Sequence, residues 1–313
     1  MTRPETAAVV VGVDGSEPSV VALDWAIAEA VDRRARLRVV HTYTWPMYRE
    51  DFAALPHGPE EGGLRTAAVG ILANAVRRVR ETVELPVDGV LHTGPTSRRL
   101  LAEAASADLL VVGSRGLGGF AGLLLGSVSG QVATHAVCPV VVVRSSTGGA
   151  GHWTGQVIVG VEDMDGSAGV VEFATDEAAR LDTGLVVVHC SPPALTVSAM
   201  PGPAMLYDDT ELMKAEELRF VESVARWADK RPEVPVTPHF SRRPPAWMLV
   251  EASTGARLMV VGSRGRGGFS GLLLGSISRQ LLHHADCSVA VVPLNRTAPA
   301  PAAAGDLAGV GRR

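Results

Sequence analysis

Lysine is nearly absent. Of 29 basic residues, only Lys214 and Lys230 are lysine, and against 33 acidic residues the net charge is −4. A chain so balanced has no basic field for non-specific nucleic-acid binding. Cysteine is scarce too. Cys138, Cys190 and Cys287 form no CxxC and no Cys/His ligand spacing, which argues against a zinc site or a disulfide framework. An odd scatter of cysteines suits a reducing compartment. No stretch approaches the ~20 apolar residues of a membrane helix. The opening MTRPETAAVVVGVDG has a short apolar run that ends in Gly-Val-Asp, unlike a signal peptide. A soluble, cytoplasmic protein with no membrane partner is the expectation.

What is present is a repeat. Residues 113–127 read GSRGLGGFAGLLLGS and residues 262–276 read GSRGRGGFSGLLLGS; only Leu117/Arg266 and Ala121/Ser270 differ. A glycine-rich segment written twice points to internal duplication. The length of 313 residues agrees with two domains, each large enough to bury a core.

Periodicity fills in each half. Ala7–Val13 reads as a strand, and Val20, Leu23, Ile27 and Val31 form a helical stripe. Leu37–Thr42 is a second strand, residues 44–63 a loop, and Leu64–Glu84 a helix. Val87–His92 is a third strand, followed by a helix from Pro95 to about Ala107. Leu109–Val112 is a continuous apolar run, as in a strand buried on both faces. A helix begins near Ser127, and Val140–Val143 is the last strand. Alternating strands and helices predict a parallel α/β sheet with right-handed crossovers. Gln156–Val161 repeats Ala8–Val13 at an offset of 148, and Val289–Val292 repeats Val140–Val143 at 149. The expected division is a first nucleotide-binding domain over 1–144, a Gly/Ser linker over 145–155, a second domain over 156–295, and a disordered tail over 296–313.

Ligands of open parallel sheets bind beyond the carboxyl ends of the strands. Gly113 and Gly262 stand there, followed by Gly116 and Gly265, then by Gly126-Ser127 and Gly275-Ser276 at a helix start. Glycine lets backbone approach a ligand closely. Ser127 and Ser276 are candidate N-caps, Ser129 and Ser278 candidate hydroxyl donors, and the helix N-terminus favours phosphate. No GxxxxGK[ST] loop occurs, and no GxGxxG follows the first strand, where the chain reads Val13-Asp14-Gly15-Ser16.

The spacing G-x2-G-x9-G-[ST] after an apolar strand, with VGVDGS near the start, ADLLVVGSRG and SVSGQVATHAVCPVVVVR, resembles the universal stress protein family. The resemblance covers nearly all of residues 6–294. It implies two tandem doubly wound five-stranded domains with strand order 3-2-1-4-5, joined as a pseudo-dimer through their last strands, and a homodimer of chains is compatible with it. It implies ATP as ligand, with Mg²⁺ admissible beside it, and a role in stress adaptation or growth control through an unnamed protein partner. Carried over by position, Val13, Asp14 and Thr42 border adenine and ribose. Val112 and Gly113 lie near the nucleoside, and Gly116, Gly126, Ser127, Val128 and Ser129 line the phosphates. The second-half positions are Val161, Glu162, Cys190, Val261, Gly262, Gly265, Gly275, Ser276, Ile277 and Ser278.

The halves depart from each other. Asp14 becomes Glu162, and Gly15-Ser16 becomes Asp163-Met164, which adds negative charge beside an anion. The longer reach of Glu162 together with this added charge leads to the expectation that the second site binds ATP more weakly. Arg115 and Arg264 are equally readable as phosphate ligands or solvated side chains. His41 and His189 read as satisfied strand-end groups, and His135, His283 and His284 as an exposed helix face. Cys138 and Cys287 read as small buried hydrophobes. Trp45, Tyr48 and Phe52 are either a nucleotide cover or surface packing. Binding rather than catalysis is the leading expectation, because phosphoryl transfer calls for cationic clamps and a base or a water-positioning group. A slow ATPase or nucleotidyl-transfer enzyme is the alternative, and a scaffold with a vestigial nucleotide site is a third reading.

Overall fold

A computed structural model describes residues 8–44, 59–117, 124–145, 148–192, 210–264 and 274–294. The first half runs β1 (Ala8–Gly12), α1 (Glu17–Arg33), β2 (Arg36–Tyr43), α2 (Pro59–Thr82), β3 (Val87–Thr93), α3 (Thr96–Ala104), β4 (Leu109–Gly113), α4 (Ser127–His135) and β5 (Val140–Val143). The second repeats it as β6 (Val157–Val161), α5 (Ala168–Arg180), β7 (Leu185–Cys190), α6 (Thr210–Ala228), β8 (Val236–Ser241), α7 (Pro245–Ala252), β9 (Leu258–Gly262), α8 (Ser276–His284) and β10 (Val289–Val292).

The strands form one ten-stranded sheet in the order β3-β2-β1-β4-β5-β10-β9-β6-β7-β8. Every pairing within a half is parallel, while β5 and β10 pair antiparallel with Val142 opposite Val289 and Val140 opposite Val291. Two apolar edge strands thereby cover each other, which removes the exposed edge that VVVV and VAVV would otherwise present. The outer edge β8 carries Pro238, a residue confined to such edges. Helices α1, α2, α5 and α6 contribute to the core on one face of the sheet, as with Leu23, Val79, Phe173 and Phe220. Helices α3, α4, α7 and α8 contribute on the other, as with Leu100, Val132, Met248 and Leu281.

Local chemistry sets the ends of α1. The Ser16 hydroxyl accepts from the Ser19 N–H at 3.3 Å, Pro18 and Glu17 occupy the first turn, and Arg34 closes the helix at φ 51°. The predicted stripe is rotated in the structure. Leu23 and Ile27 are buried with Ala22, Ala26 and Ala30, whereas Val20 and Val31 are 36% and 44% exposed. Small alanines, rather than the larger valines, bring α1 down onto the sheet.

Other boundaries shift. Residues 59–63 belong to α2 rather than to a loop, and α3 stops at Ala104 rather than near Ala107. Trp45, Tyr48, Phe52 and the tail 296–313 lie outside the described residues. The segment preceding β6 is packed. Trp153 is buried and meets His152 and His239 edge-on at 5.0 and 4.7 Å, and the Gly155 N–H donates to the Gly255 carbonyl at 2.8 Å. A Cβ at Gly151 would lie 2.0 Å from the Thr254 carbonyl oxygen. One buried indole outweighs the flexibility expected from the surrounding glycines.

Candidate functional site

The parallel strands of each half end on the same side, and the glycine segments leave from β4 and β9. Val13, Val112, Val161 and Val261 are buried at these ends. Gly113 is packed tightly: a Cβ there would lie 2.7 Å from the Pro18 carbonyl oxygen. The chain then turns back, with the Gly126 N–H donating to Ser114 at 2.8 Å and the Gly275 N–H to Ser263 at 2.7 Å.

Gly126 and Gly275, in extended conformation, are the N-caps of α4 and α8, and neither helix has a side-chain cap. This corrects the expectation that Ser127 and Ser276 cap. Both serines are the first helical residues and are exposed. With no hydroxyl folded over the helix end, the first-turn N–H groups of Ser127, Val128 and Ser129, and of Ser276, Ile277 and Ser278, belong to an open helix N-terminus. A second correction concerns Ser129 and Ser278. Their hydroxyls donate to the Gly113 and Gly262 carbonyls, each at 2.7 Å, so they tie helix to strand and keep only lone pairs for anything else.

In the first half, Asp14 spans the space between strand and loop. Its Oδ1 accepts from the Ser16 N–H at 3.0 Å and the Ser16 hydroxyl at 2.5 Å, and its Oδ2 from the Leu117 N–H at 2.8 Å. Burial by itself would raise the Asp14 pKa. The Ser16, Leu117 and Ser19 hydrogen bonds outweigh burial and hold it below the ordinary carboxylate value. The approach depends on Gly116, where a Cβ would lie 2.3 Å from Asp14 Oδ2. Thr42 is paired with Thr96, hydroxyl to hydroxyl at 2.5 Å. Arg115 is exposed.

In the second half the same position holds a cavity of about 570 Å³. Its lining includes Val161, Glu162, Cys190, Val261, Gly262, Arg264, Gly275, Ser276, Ile277 and Ser278, so the structure brings together every second-half candidate except Gly265, which lies outside the described residues. Burial pushes the Cys190 thiol up to about 11, so it faces the cavity as a neutral, weakly polar group. Sequence reasoning missed Ser167, Val170, Leu249 and Leu294 in the same wall. Ser167 and Val170 were reachable, because they follow β6 where α1 follows β1. Leu249 and Leu294 come close only through the fold.

His41 and His189 lie one or two residues before the ends of β2 and β7. Their Nδ1 atoms lie 2.7 and 3.2 Å from the Val13 and Val161 carbonyls. A carbonyl only accepts, so Nδ1 carries the proton in both rings. His189 also faces Glu216 at 3.3 Å. Cys138 and Cys287 are buried, and neither they nor Cys190 forms a disulfide among the described residues. Among the described residues no His/Cys/Asp/Glu group could hold a metal ion, and no helix is long and apolar enough to cross a membrane.

The universal stress protein family model matches residues 6–144 and 154–293. Universal stress protein Rv2005c of Mycobacterium tuberculosis is 35% identical over 306 residues, covering 93% of this chain and 99% of that protein. The crystal structure of a universal stress protein from Archaeoglobus fulgidus shares the fold at TM-score 0.63 and 17% identity, covering 92% of this chain and 96% of that one. A shorter universal stress protein solved in complex with cAMP is 34% identical, covers 45% of this chain and 98% of its own, and has a TM-score of 0.35. Two matched domains in one sheet, related by the β5–β10 pairing, make this chain a tandem member of the universal stress protein family.

Proposed function

We propose that the protein is a cytoplasmic regulator that binds an adenine nucleotide, ATP in the first instance, at the carboxyl ends of its strands. The observation that carries this is the second-half cavity. At about 570 Å³ it falls within the roughly 300–1,000 Å³ of small-molecule sites. One wall is apolar, with Val161, Val188, Leu249 and Val261, and the other is the glycine turn and uncapped start of α8. An apolar slot beside an open helix N-terminus suits a flat base joined to an anion. Three cysteines that form no disulfide among the described residues suit the cytoplasm.

The geometry also favours an order of binding opposite to the one expected from the Asp14-to-Glu162 exchange and the added Asp163 charge. In the first half, Asp14 and the loop backbone meet directly, in the space where the family resemblance puts ribose and phosphate. A ligand there must displace that contact. We therefore assign the first occupancy to the second half.

The test is calorimetry with ATP, ADP, AMP and cAMP on the full chain, with mass analysis of small molecules that co-purify. cAMP belongs among the compounds because a shorter family member was solved with it. ATP binding lost at least ten-fold in Ser276→Asp, which places a carboxylate at the start of α8, is the expected result. No nucleotide heat and no co-purifying nucleotide would overturn the reading. ATP turnover near the ~1 s⁻¹ of ordinary kinases would replace regulation with catalysis.

A further inference from the structure

Where the two halves meet, a second cleft of about 350 Å³ opens between the ends of β4 and β5 and the C-terminus of α8. Ser114, Arg115 and Arg144 come from the first half, and His283, His284 and Asp286 from the second. We propose that this junction cleft is an anion site for a phosphate-bearing ligand, with Arg144 as its central charge and Arg115 and His283 beside it.

The argument begins with the company that arginines keep. Arg33 pairs with Glu29 and Glu177, Arg38 with Glu103, and Arg180 with Glu177. Arg144 is half-buried like them, yet among the described residues its guanidinium donates only to carbonyls, those of Leu282 and of Leu124 at 3.3 Å, while its backbone N–H donates to the Ser288 hydroxyl at 3.2 Å. Its Nε is buried with no partner. A guanidinium shielded from water and given no carboxylate is costly. The acid nearest in sequence to this wall, Asp286, accepts from the Thr254 hydroxyl at 2.9 Å and makes no ion pair with Arg144.

The electrostatics agree. Burial lowers the Arg144 pKa, and Arg115 adds to this against partial offsets from Cys287 and Asp286. Burial also lowers His283, with His284, Arg144 and Arg279 pushing the same way. A bound anion would relieve every one of these repulsions.

Duplication alone does not account for the cluster. At the offset of 149 that relates β5 to β10, Arg144 corresponds to Pro293, His283 to Thr134 and Asp286 to Val137. The pseudo-twofold mate of this cleft therefore keeps Arg264 and His135 where this one has Arg115 and His284, but has no counterpart of Arg144, His283 or Asp286. Phosphate is the chemistry that fits, because guanidinium forks match its geometry and the volume exceeds that of one inorganic ion. Two sources share that chemistry: a free phosphate or polyphosphate, or the phosphate tail of a nucleotide on the first glycine loop, since Ser114 and Arg115 lie on both. The second source rests on the proposed nucleotide function; the first does not.

The experiment follows the His283 imidazole of the full chain by NMR titration, assigned with His283→Gln. Inorganic phosphate, tripolyphosphate, AMP and ATP are added in separate arms. Tripolyphosphate is expected to raise the His283 pKa. Arg144→Gln should weaken that effect roughly ten-fold or more, the scale of one charge-assisted hydrogen bond, and Arg144→Lys should retain most of it. A shift with ATP but not AMP identifies the nucleotide tail, and a shift with tripolyphosphate but not ATP identifies a free anion; either supports the site. A His283 pKa unmoved by every anion, or an Arg144→Gln response equal to wild type in folded protein, would overturn it. Calorimetric ATP binding with an unmoved His283 would remove the cleft and leave the nucleotide reading standing.

Discussion

Glu29 and Glu177 are related by the same 148-residue offset as the first strands of the two halves, and they meet at the junction, one from α1 and one from α5. Both are buried. Arg33 bonds to both carboxylates, and Arg180 reaches Glu177 and lies 3.5 Å from Glu29. The glutamates obey the pseudo-symmetry and the arginines do not: positions 33 and 180 correspond to Leu181 and Asp32. The charge balance at the seam thus exists only when first half meets second.

Removing one partner should therefore be severe. Arg33→Met leaves two buried carboxylates facing one arginine, and loss of one member of a buried pair typically costs ~3–5 kcal/mol. Urea unfolding is expected to register a loss of that size. Arg36→Ala, which breaks an exposed pair at 3.7 Å with Asp88, should cost well under ~1 kcal/mol.

The same cluster sets a pH dependence. Burial first, and then Glu29, push the Glu177 carboxyl up to about 7, against the pull of Arg33 and Arg180. Its Oε2 has no partner. A folded pKa above the unfolded one means that the native state holds the proton more tightly. Stability from this group is full below about pH 4.5 and is lost as pH rises toward 7. Glu177→Gln should flatten the stability profile across that window, as read by thermal melting at each pH.

Asp14 gives the opposite sign on the acid side. Its pKa is lowered despite burial, through Ser16, Leu117 and Ser19, so its stabilisation is present above the ordinary value and disappears as pH falls through the lowered one. Asp14→Asn should remove that acid-side slope. Gly116→Ala should do much the same, because the added Cβ would sit 2.3 Å from Asp14 Oδ2 and must push the carboxylate off the loop. Melting curves between about pH 2 and pH 5 would test both; an unchanged acid slope in Gly116→Ala would show that the loop contact is not the cause.

The parallel sheet could be read from β4, because LLVV is an uninterrupted apolar run and all of it is buried. The glycine turns could be read because the chain writes them twice. Side-chain direction could not. Nothing in the spacing of Val20, Leu23, Ile27 and Val31 says that the alanines between them face the sheet. A serine after glycine at a helix start looks like a cap until the glycine takes the extended cap conformation itself. Arg144 ends the family-like run SVSGQVATHAVCPVVVVR, yet nothing in that run says that its guanidinium meets α8 of the other half.

Trp153 belongs to the same class. It sits among glycines, yet its ring is 7% exposed and packs with His239 of β8. Trp153→Ala should cost ~3–5 kcal/mol, as for other buried aromatic truncations. Near-ultraviolet circular dichroism with thermal melting would check this. A change within ~0.5 kcal/mol would mean that the segment is a loose tether.

The two glycine turns yield the last prediction, on stoichiometry. Ser127 and Ser276 are equivalent exposed first residues of α4 and α8. An aspartate there suits the helix dipole, worth roughly 0.3–1 kcal/mol of stabilisation, yet it repels a phosphate on the same N–H groups. Ser276→Asp and Ser127→Asp should therefore stay folded and each remove one ATP equivalent by calorimetry. If the second half fills first, Ser276→Asp removes the tighter event, and the remaining one carries the enthalpy of breaking the Asp14–Leu117 contact. Asp14→Asn, which weakens that contact in advance, should then bring the two affinities closer together. Loss of the tighter event in Ser127→Asp instead would reverse the order of the two sites.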